Sequence, residues 1–311
     1  MTGYFISNAG RKWQLPELLS WDVCHGSGEP CDYFELSFLY DADMLEMLDS
    51  ATRFRGIFAG ETVFYGVVDE YRVCIDLNGA VATVSGRSLA ALLLDNEAPA
   101  ADYACLSLGT VLGTHVRSCG VTDIRACDMP PLSSFTVSSG ESEWSVLKRF
   151  CTYSAGIFPR FSKDGVLVLA DESGKHLDID DTVPLTKLVR SYDRDGIISE
   201  IEVKNKSSFT SCTVRNVNYV NPNGCGKRIL NVPRSTGADA MRYTGEYQIA
   251  QSMKGRDYIE LTLPELFAAF PADTVTLING SLGISRTLTV TQTRCWADPD
   301  GAGTVIRLEA L

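Results

Sequence analysis

Stretches in which apolar and polar residues alternate dominate both ends of this chain. Ile197-Ile198-Ser199-Glu200-Ile201-Glu202-Val203 alternates cleanly, as do Thr274–Ile278 and Thr287–Thr291. A period of two belongs to a strand with one buried face. Turn signals separate these runs. Gly60-Glu61 sits inside the apolar stretch Gly56–Val68, and Asp298-Pro299-Asp300-Gly301 divides Arg294-Cys295-Trp296 from Thr304–Leu308. Tyr33–Tyr40 and Val81–Ser85 add aromatic and β-branched runs. Many short strands joined by tight turns predict a barrel or sandwich.

The middle of the chain has a different texture. Residues 1–98 read as β, 99–185 as mixed α/β, and 186–311 as β again. Ser88 stands before Leu89-Ala90-Ala91-Leu92-Leu93-Leu94 as a candidate N-cap of a short helix, and Pro99 ends that stretch. Between Ser107 and Cys119, Leu108, Val111, Leu112, His115 and Val116 share one helical face. Trp144, Leu147 and Cys151 do the same in Ser142–Cys151. Asp164-Gly165 between Phe161 and Val166–Leu169 predicts a hairpin.

Charge limits the functions open to the chain. Its 39 acids and 28 bases leave a net charge of −11, which suits poorly a protein that grips nucleic acid backbones. Residues 1–105 hold 16 acids and 6 bases, so nearly all of the excess sits in the first third. The longest apolar run, Leu89–Leu94, is far short of a membrane span, and the first twenty residues lack the apolar core of a signal peptide. Ten scattered cysteines then read as small buried hydrophobes rather than a disulfide framework.

Catalytic motifs are missing. Gly140-Glu141-Ser142-Glu143-Trp144 lacks the second glycine of a nucleophile elbow, and Gly224-Cys225-Gly226-Lys227-Arg228 lacks the hydroxyl residue of a phosphate loop. Cys24, His25 and Cys31 are the best zinc candidates, without the second close ligand pair that zinc sites usually have. His115 falls on an apolar helix face and reads as a core histidine. The acids Asp41, Asp43, Glu46 and Asp49 read as a solvated helix face, and Asp178, Asp180 and Asp181 as a polar turn. No catalytic, cofactor or metal residue is assigned, and the expectation is a protein that is not an enzyme.

Several strings together resemble the baseplate hub proteins of contractile phage tails, tailocins and related injection systems, the late control protein D-like and VgrG N-terminal-like hubs. The strings are Phe58–Val68 with Gly66; Val84–Ala98 with Gly86, Arg87, Ser88, Asp95 and Asn96; and Phe135–Trp144 followed by Gly165-Val166-Leu167. Ile197–Lys204 with Ser199, Arg228–Asn231 and the final Gly301-x-Gly303-Thr304 hairpin complete the set. Gly66, Gly86, Arg87, Ser88, Asp95, Asn96, Trp144, Gly165 and Ser199 are therefore family-motif residues with structural roles.

The resemblance implies a trimeric ring with pseudo-sixfold symmetry. Each chain would hold two tube-like β-barrel domains, 1–98 and 186–311, around an α/β insert, 99–185, with strands exchanged between segments. Such a hub joins a sixfold tail tube to a trimeric spike and encloses the tail channel. The implied partners are two further copies, the spike, a tail tube or tube-initiator protein, the tape-measure protein and baseplate wedge proteins. The implied location is a virion or tail-like particle assembled in the bacterial cytoplasm. Unlike hubs fused to lysozyme or peptidase domains, this chain ends at Leu311. Phe135-Thr136-Val137-Ser138-Ser139-Gly140-Glu141-Ser142-Glu143-Trp144 also resembles the opening of a LysM module. The alternative is thus a tail-tip wall-binding or muralytic protein acting through residues 135–185. A trimer would carry −33. Acids lining its lumen would keep DNA from sticking, over a range of about 8–10 Å at physiological salt.

Overall fold

Thirteen strands hydrogen-bond into one sheet in the computed structural model, which describes all residues except 28–29, 78, 172, 206–209, 220–225, 233–235 and 311. Its main path runs Lys187–Tyr192, Asp257–Leu263, Gly301–Glu309, Ile284–Asp298, Leu18–Gly26, Tyr33–Leu39, Gly79–Ser88, Glu61–Asp76, Ala51–Phe58, Thr2–Ser7, Lys12–Gln14. Thr274–Asn279 branches from Ile284–Asp298 and carries His176–Ile179 in parallel on its far side. The protein is mostly β with few helices, as the alternation predicts.

Two cores lie along this sheet. Near the N-terminus five phenylalanines meet at fully buried positions: Phe5, Phe34, Phe38, Phe54 and Phe64. The Phe34 and Phe54 ring centres stand 4.3 Å apart, and Phe34 and Phe64 5.1 Å. The other core is aliphatic and gathers Ile179, Ile259, Leu261, Val275, Leu288, Val290, Ile306 and Leu308. One strand joins them. Residues 284–289 of Ile284–Asp298 pair with Thr274–Asn279, and residues 292–297 pair with Leu18–Gly26. Its other edge pairs with Gly301–Glu309, with an irregularity at Thr291.

Two smaller layers flank the sheet. Helix Glu143–Ala155 buries Trp144, Val146, Leu147, Phe150 and Cys151. Ser142 caps it, its Oγ accepting from the Ser145 N–H, and Gly156 ends it at φ +71°. The Asp164-Gly165 hairpin forms as predicted, between Arg160–Phe161 and Leu167–Leu169. Phe135–Val137 pairs with Ala101–Tyr103, and Leu167–Leu169 pairs in parallel with Ile124–Ala126. The LysM-like stretch thus finds strand partners upstream of itself.

Three predicted features differ. The helix after Ser88 is only Ala91–Leu94, and Ser88 is the last residue of a strand rather than its cap. The Ser107–Cys119 helix breaks into Leu108–Val111, a π turn and a 3₁₀ turn. The return to β after residue 186 is interrupted by helix Ala238–Met253, which packs on a separate sheet of Glu200–Asn205, Thr210–Arg215 and Lys227–Val232. Its buried residues are Met241, Thr244, Gly245 and Ile249, so polar and small residues occupy positions where an apolar stripe is normally read. A Cβ on Gly245 would come within 2.6 Å of Val214, so the glycine sets how closely helix and sheet approach.

Candidate functional site

Eight of the nine family-motif residues converge where the aromatic sheet meets the helical layer. Gly66 lies opposite Phe54 and Ser88, and Gly86 opposite Phe34 and Val68. A Cβ on Gly66 would stand 2.1 Å from the Arg87 carbonyl oxygen and 2.8 Å from Phe64 Cε1. On Gly86 it would stand 2.0 Å from the Val67 carbonyl oxygen and 2.7 Å from Phe34 Cε1. The missing side chains are where the phenyl rings lie.

The next residue, Arg87, turns outward and binds two carboxylates. It reaches Asp69 through Nε (2.7 Å) and Nη2 (3.0 Å), and Asp95 through Nη1 (3.1 Å) and Nη2 (2.7 Å). These bonds hold the Asp95 carboxyl below its ordinary range and push the guanidinium up. Asp95 follows helix Ala91–Leu94, so the arginine ties that helix to the sheet. Asn96 continues the corner. Its Nδ2 donates to the Leu92 carbonyl (2.7 Å), and its own carbonyl accepts from the Glu143 N–H (2.9 Å).

Ser88 turns inward. Its Oγ accepts from the Asp32 N–H (3.2 Å), and its N–H donates to the Asp32 carbonyl (2.9 Å). The Asp32 carboxylate accepts from the Gly26 N–H (3.0 Å) and faces His25 Nδ1 (2.8 Å). His25 Nε2 reaches the Val63 carbonyl (2.9 Å). His25 and Asp32 are both buried. Trp144 stacks on Phe161 at 6.3 Å, and the Gly165 turn, at φ +82°, packs against Tyr65 and Leu89. Ser199 lies elsewhere, at the start of the small sheet, where its N–H and Oγ donate to the Gly226 carbonyl (2.8 and 3.2 Å).

A cleft of about 190 Å³ opens over this junction, lined by His25, Asp32, Ser88, Lys163, Lys175 and Asp273 among others. Its polar groups serve the fold. Lys163 donates to the Thr62 carbonyl (2.7 Å) and pairs with Glu61, as does Lys175. Asp273 accepts from the Lys175 and Phe270 N–H groups (2.8 Å each). Residues from all three sequence regions thus lock together at one place.

The other candidates occupy structural positions. Both ring nitrogens of His25 are engaged. Cys24 is its strand neighbour, so the two side chains leave on opposite faces. Among the described residues no group of three or more His, Cys, Asp or Glu side chains could hold a metal ion. Burial pushes the Cys31 and Cys295 thiols up to about 11 and Cys151 up to about 12. His115 is a core residue, as its helical face predicts. Its Nδ1 lies 2.6 Å from Glu143 Oε2 and its Nε2 3.0 Å from the Tyr103 hydroxyl. Asp41 caps the turn Ala42–Met44, and Asp180 accepts from the Thr182 N–H and hydroxyl. Of the phosphate-loop-like string, residues 224 and 225 lie outside the described set. Sequence reasoning missed Asp32, Asp69 and Glu143. The partner of each lies 7 to 28 residues away, so spacing carries no sign of the pairing.

No family model matches the sequence, and no curated protein does. Solved structures do match. A tail protein from Neisseria meningitidis MC58 superposes with a TM-score of 0.78 at 17% identity, covering 99% of this chain and 96% of that one. The 43 kDa tail protein of prophage MuSo2 from Shewanella oneidensis gives 0.78 at 17% identity, covering 100% and 98%. An E. coli component of the type VI secretion system, described as similar to the T4 tail proteins gp27 and gp5, gives 0.61 at 11% identity over 95% and 74%. The chain therefore has, from end to end, the fold of phage tail proteins, in agreement with the hub-like resemblance of its motifs.

Proposed function

We propose that this chain is a structural baseplate hub, joining a sixfold tail tube to a trimeric spike and enclosing the channel between them. The observation that carries the reading is the pair of separate cores strung on one continuous sheet by Ile284–Asp298. A threefold ring that docks to a sixfold tube needs its docking element twice per chain. The end-to-end likeness to tail proteins supports the same reading. On it, 1–98 and 186–311 form two barrel-like units around the insert 99–185, and a homotrimer presents six.

The role is mechanical. The motif residues Gly66, Gly86, Arg87, Ser88, Asp95, Asn96, Trp144 and Gly165 hold the insert against the first sheet, and Ser199 fixes the start of the small sheet. The spike, the tube or its initiator, the tape-measure protein and wedge proteins are its neighbours in a virion or tail-like particle. The exposed acids of residues 1–105 that have no partner in the chain line the channel, while Asp32, Glu61, Asp69 and Asp95 are held by partners in the fold. No helix among the described residues is long and apolar enough to cross a membrane.

Co-expression with the spike and tube proteins of the same tail tests the proposal. Sedimentation velocity and electron microscopy should show three copies on one spike, capped by a tube ring. A chain that stays monomeric with both partners present overturns the reading, and so does hydrolysis of purified cell wall by the protein alone. A channel wall that is neutral or basic in the assembled ring overturns the role given to the charge.

A further inference from the structure

Four neighbouring strands, Lys12–Gln14, Thr2–Ser7, Ala51–Phe58 and the first half of Glu61–Asp76, share an outer face whose charge runs against the rest of the first third. Strand register sets which side chains lie on it. One row is Lys12, Ile6, Arg53 and Val67, and the next is Gln14, Tyr4, Arg55 and Tyr65. Phe5 and Phe54, which alternate with them, point into the aromatic core. The two rows hold three bases and no acid, although residues 1–105 have only 6 bases against 16 acids. Of the other bases, Arg11 pairs with Glu46, and Arg87 with Asp69 and Asp95. Lys12, Arg53 and Arg55 have no carboxylate partner among the described residues. Arg53 donates to the Thr52 carbonyl (2.9 Å). Arg55 lies 5.6 Å from the Tyr65 ring, and its Nε is buried without a hydrogen-bond partner. Lys12 and Tyr4 are exposed.

A corner of opposite sign lies on the other half of the sheet, where His176–Ile179 runs beside Thr274–Asn279. Asp178 stands opposite Thr276, and Ile278 follows Thr276 on the same face. Ile179 belongs to the aliphatic core, so this corner is part of the second unit. Asp178, Asp180 and Asp181 are all exposed, and none of them pairs with a lysine or arginine among the described residues. Asp178 has only His176 Nε2 nearby, at 3.5 Å. Asp180 and Asp181 shape the turn, the latter accepting from the Gly280 N–H (3.1 Å). Ile278 and Leu282 are exposed beside them.

We propose that the Lys12–Arg53–Arg55 face of one copy covers the Asp178–Asp181 corner of a second copy, with Arg53 facing Asp178 and Tyr4 lying against Ile278. The inference rests on the trimeric reading and specifies its interface. Copies of a chain with a net charge of −11 repel one another, and three of them gather −33. A ring closes against that repulsion where unpaired bases of one copy meet unpaired acids of the next. Tyr4, Ile278 and Leu282 supply the apolar part of the contact. In a ring of six units the two kinds alternate, so each contact between copies joins a first unit to a second. The basic face lies on the first unit and the acidic corner on the second. A contact between such unlike patches is head-to-tail, the kind that closes a ring of three rather than a two-fold dimer.

The test uses the full chain co-purified with its spike. Lys12→Glu with Arg53→Glu should keep the wild-type melting profile of the free chain and weaken self-association about tenfold or more. Asp178→Arg should weaken it too, and combining Asp178→Arg with Arg53→Glu should restore it. In a chain with Cys74→Ser and Cys105→Ser, the pair Gln14→Cys and Ile278→Cys should give a covalent trimer with oxidised glutathione, and neither alone should. A trimer indifferent to these charge reversals and without the cross-link overturns this interface and leaves the hub reading standing. Reversals that lose the tube or spike protein while keeping the trimer also overturn it, by giving the basic face another occupant. A wild-type chain that never trimerises on the spike overturns the hub reading itself.

Discussion

Arg87 grips Asp95 through two parallel N–H···O bonds, and the same guanidinium holds Asp69 on its other side. This fork ties the strand carrying Gly86 to the short helix that leads into the insert. The three side chains are about a third to a half exposed, so solvent discounts the ion pairs. Arg87→Ala should cost about 1 kcal/mol by denaturant titration, and Arg87→Lys most of that, because an ammonium cannot bridge two carboxylates bidentately. The folded Asp95 carboxyl is depressed. Its contribution is therefore present above the ordinary carboxylate pKa of about 4 and fades as pH falls through the folded value. Wild type and Arg87→Ala should converge in stability at the acid end; a gap of constant size down to about pH 2 would refute the assignment.

Gly86 tests the packing behind that fork. An alanine methyl there meets a carbonyl oxygen and the Phe34 ring at distances real Cβ atoms do not adopt. Gly86→Ala should destabilise by about 3 kcal/mol, near the upper end of over-packing costs. Adding Phe34→Leu should relieve only the ring clash, so recovery should be partial. Full stability in the single variant would show that strand and ring can part without cost.

The buried pair His115–Glu143 distinguishes breaking a polar contact from replacing it. Their side chains are 0% and 5% exposed. His115→Leu leaves the buried Glu143 carboxyl without its partner and should cost roughly 1–3 kcal/mol. His115→Leu with Glu143→Leu removes both polar partners and should be less destabilised than the single variant. If the double variant is the worse of the two, the pair contributes net stability to the insert core.

Cysteine chemistry should follow burial. Cys74 and Cys105 are exposed, whereas burial holds the Cys31, Cys151 and Cys295 thiols protonated well above neutral pH. Alkylation at pH 8, mapped by mass spectrometry, should mark Cys74 and Cys105 long before Cys151. Because the folded pKa values are raised, their contribution is complete below about pH 8.5, the unfolded value. It is lost as pH rises from there toward 11 to 12, where the unfolded chain ionises first. Rapid labelling of Cys151 in the native protein would contradict its placement.

The strands and hairpins were legible because a period of two and turn residues such as Asp164-Gly165 act locally. So was helix Glu143–Ala155, whose cap and apolar face agree. Helix Ala238–Met253 was not, because Thr244 and Gly245 occupy its buried face, and only the nearness of the small sheet makes them suitable there. Ser88 misleads for the opposite reason. It has the chemistry of a cap, but Asp32 claims both its hydroxyl and its N–H. The motif residues could be picked out by resemblance, while their convergence on one junction depends on partners from distant segments, such as Tyr65 beneath Gly165.

The strand Ile284–Asp298 has a consequence for synthesis. Leu18–Gly26 leaves the ribosome early, yet one of its two partners, residues 292–297, is made about 270 residues later. At 5–20 residues per second the nascent N-terminal sheet waits roughly 15 to 55 s with that edge unpaired. Throughout that interval it is a template for any other strand it meets, so the order of translation makes the hairpin of Ile284–Asp298 and Gly301–Glu309 the guardian of an edge made some 270 residues before it.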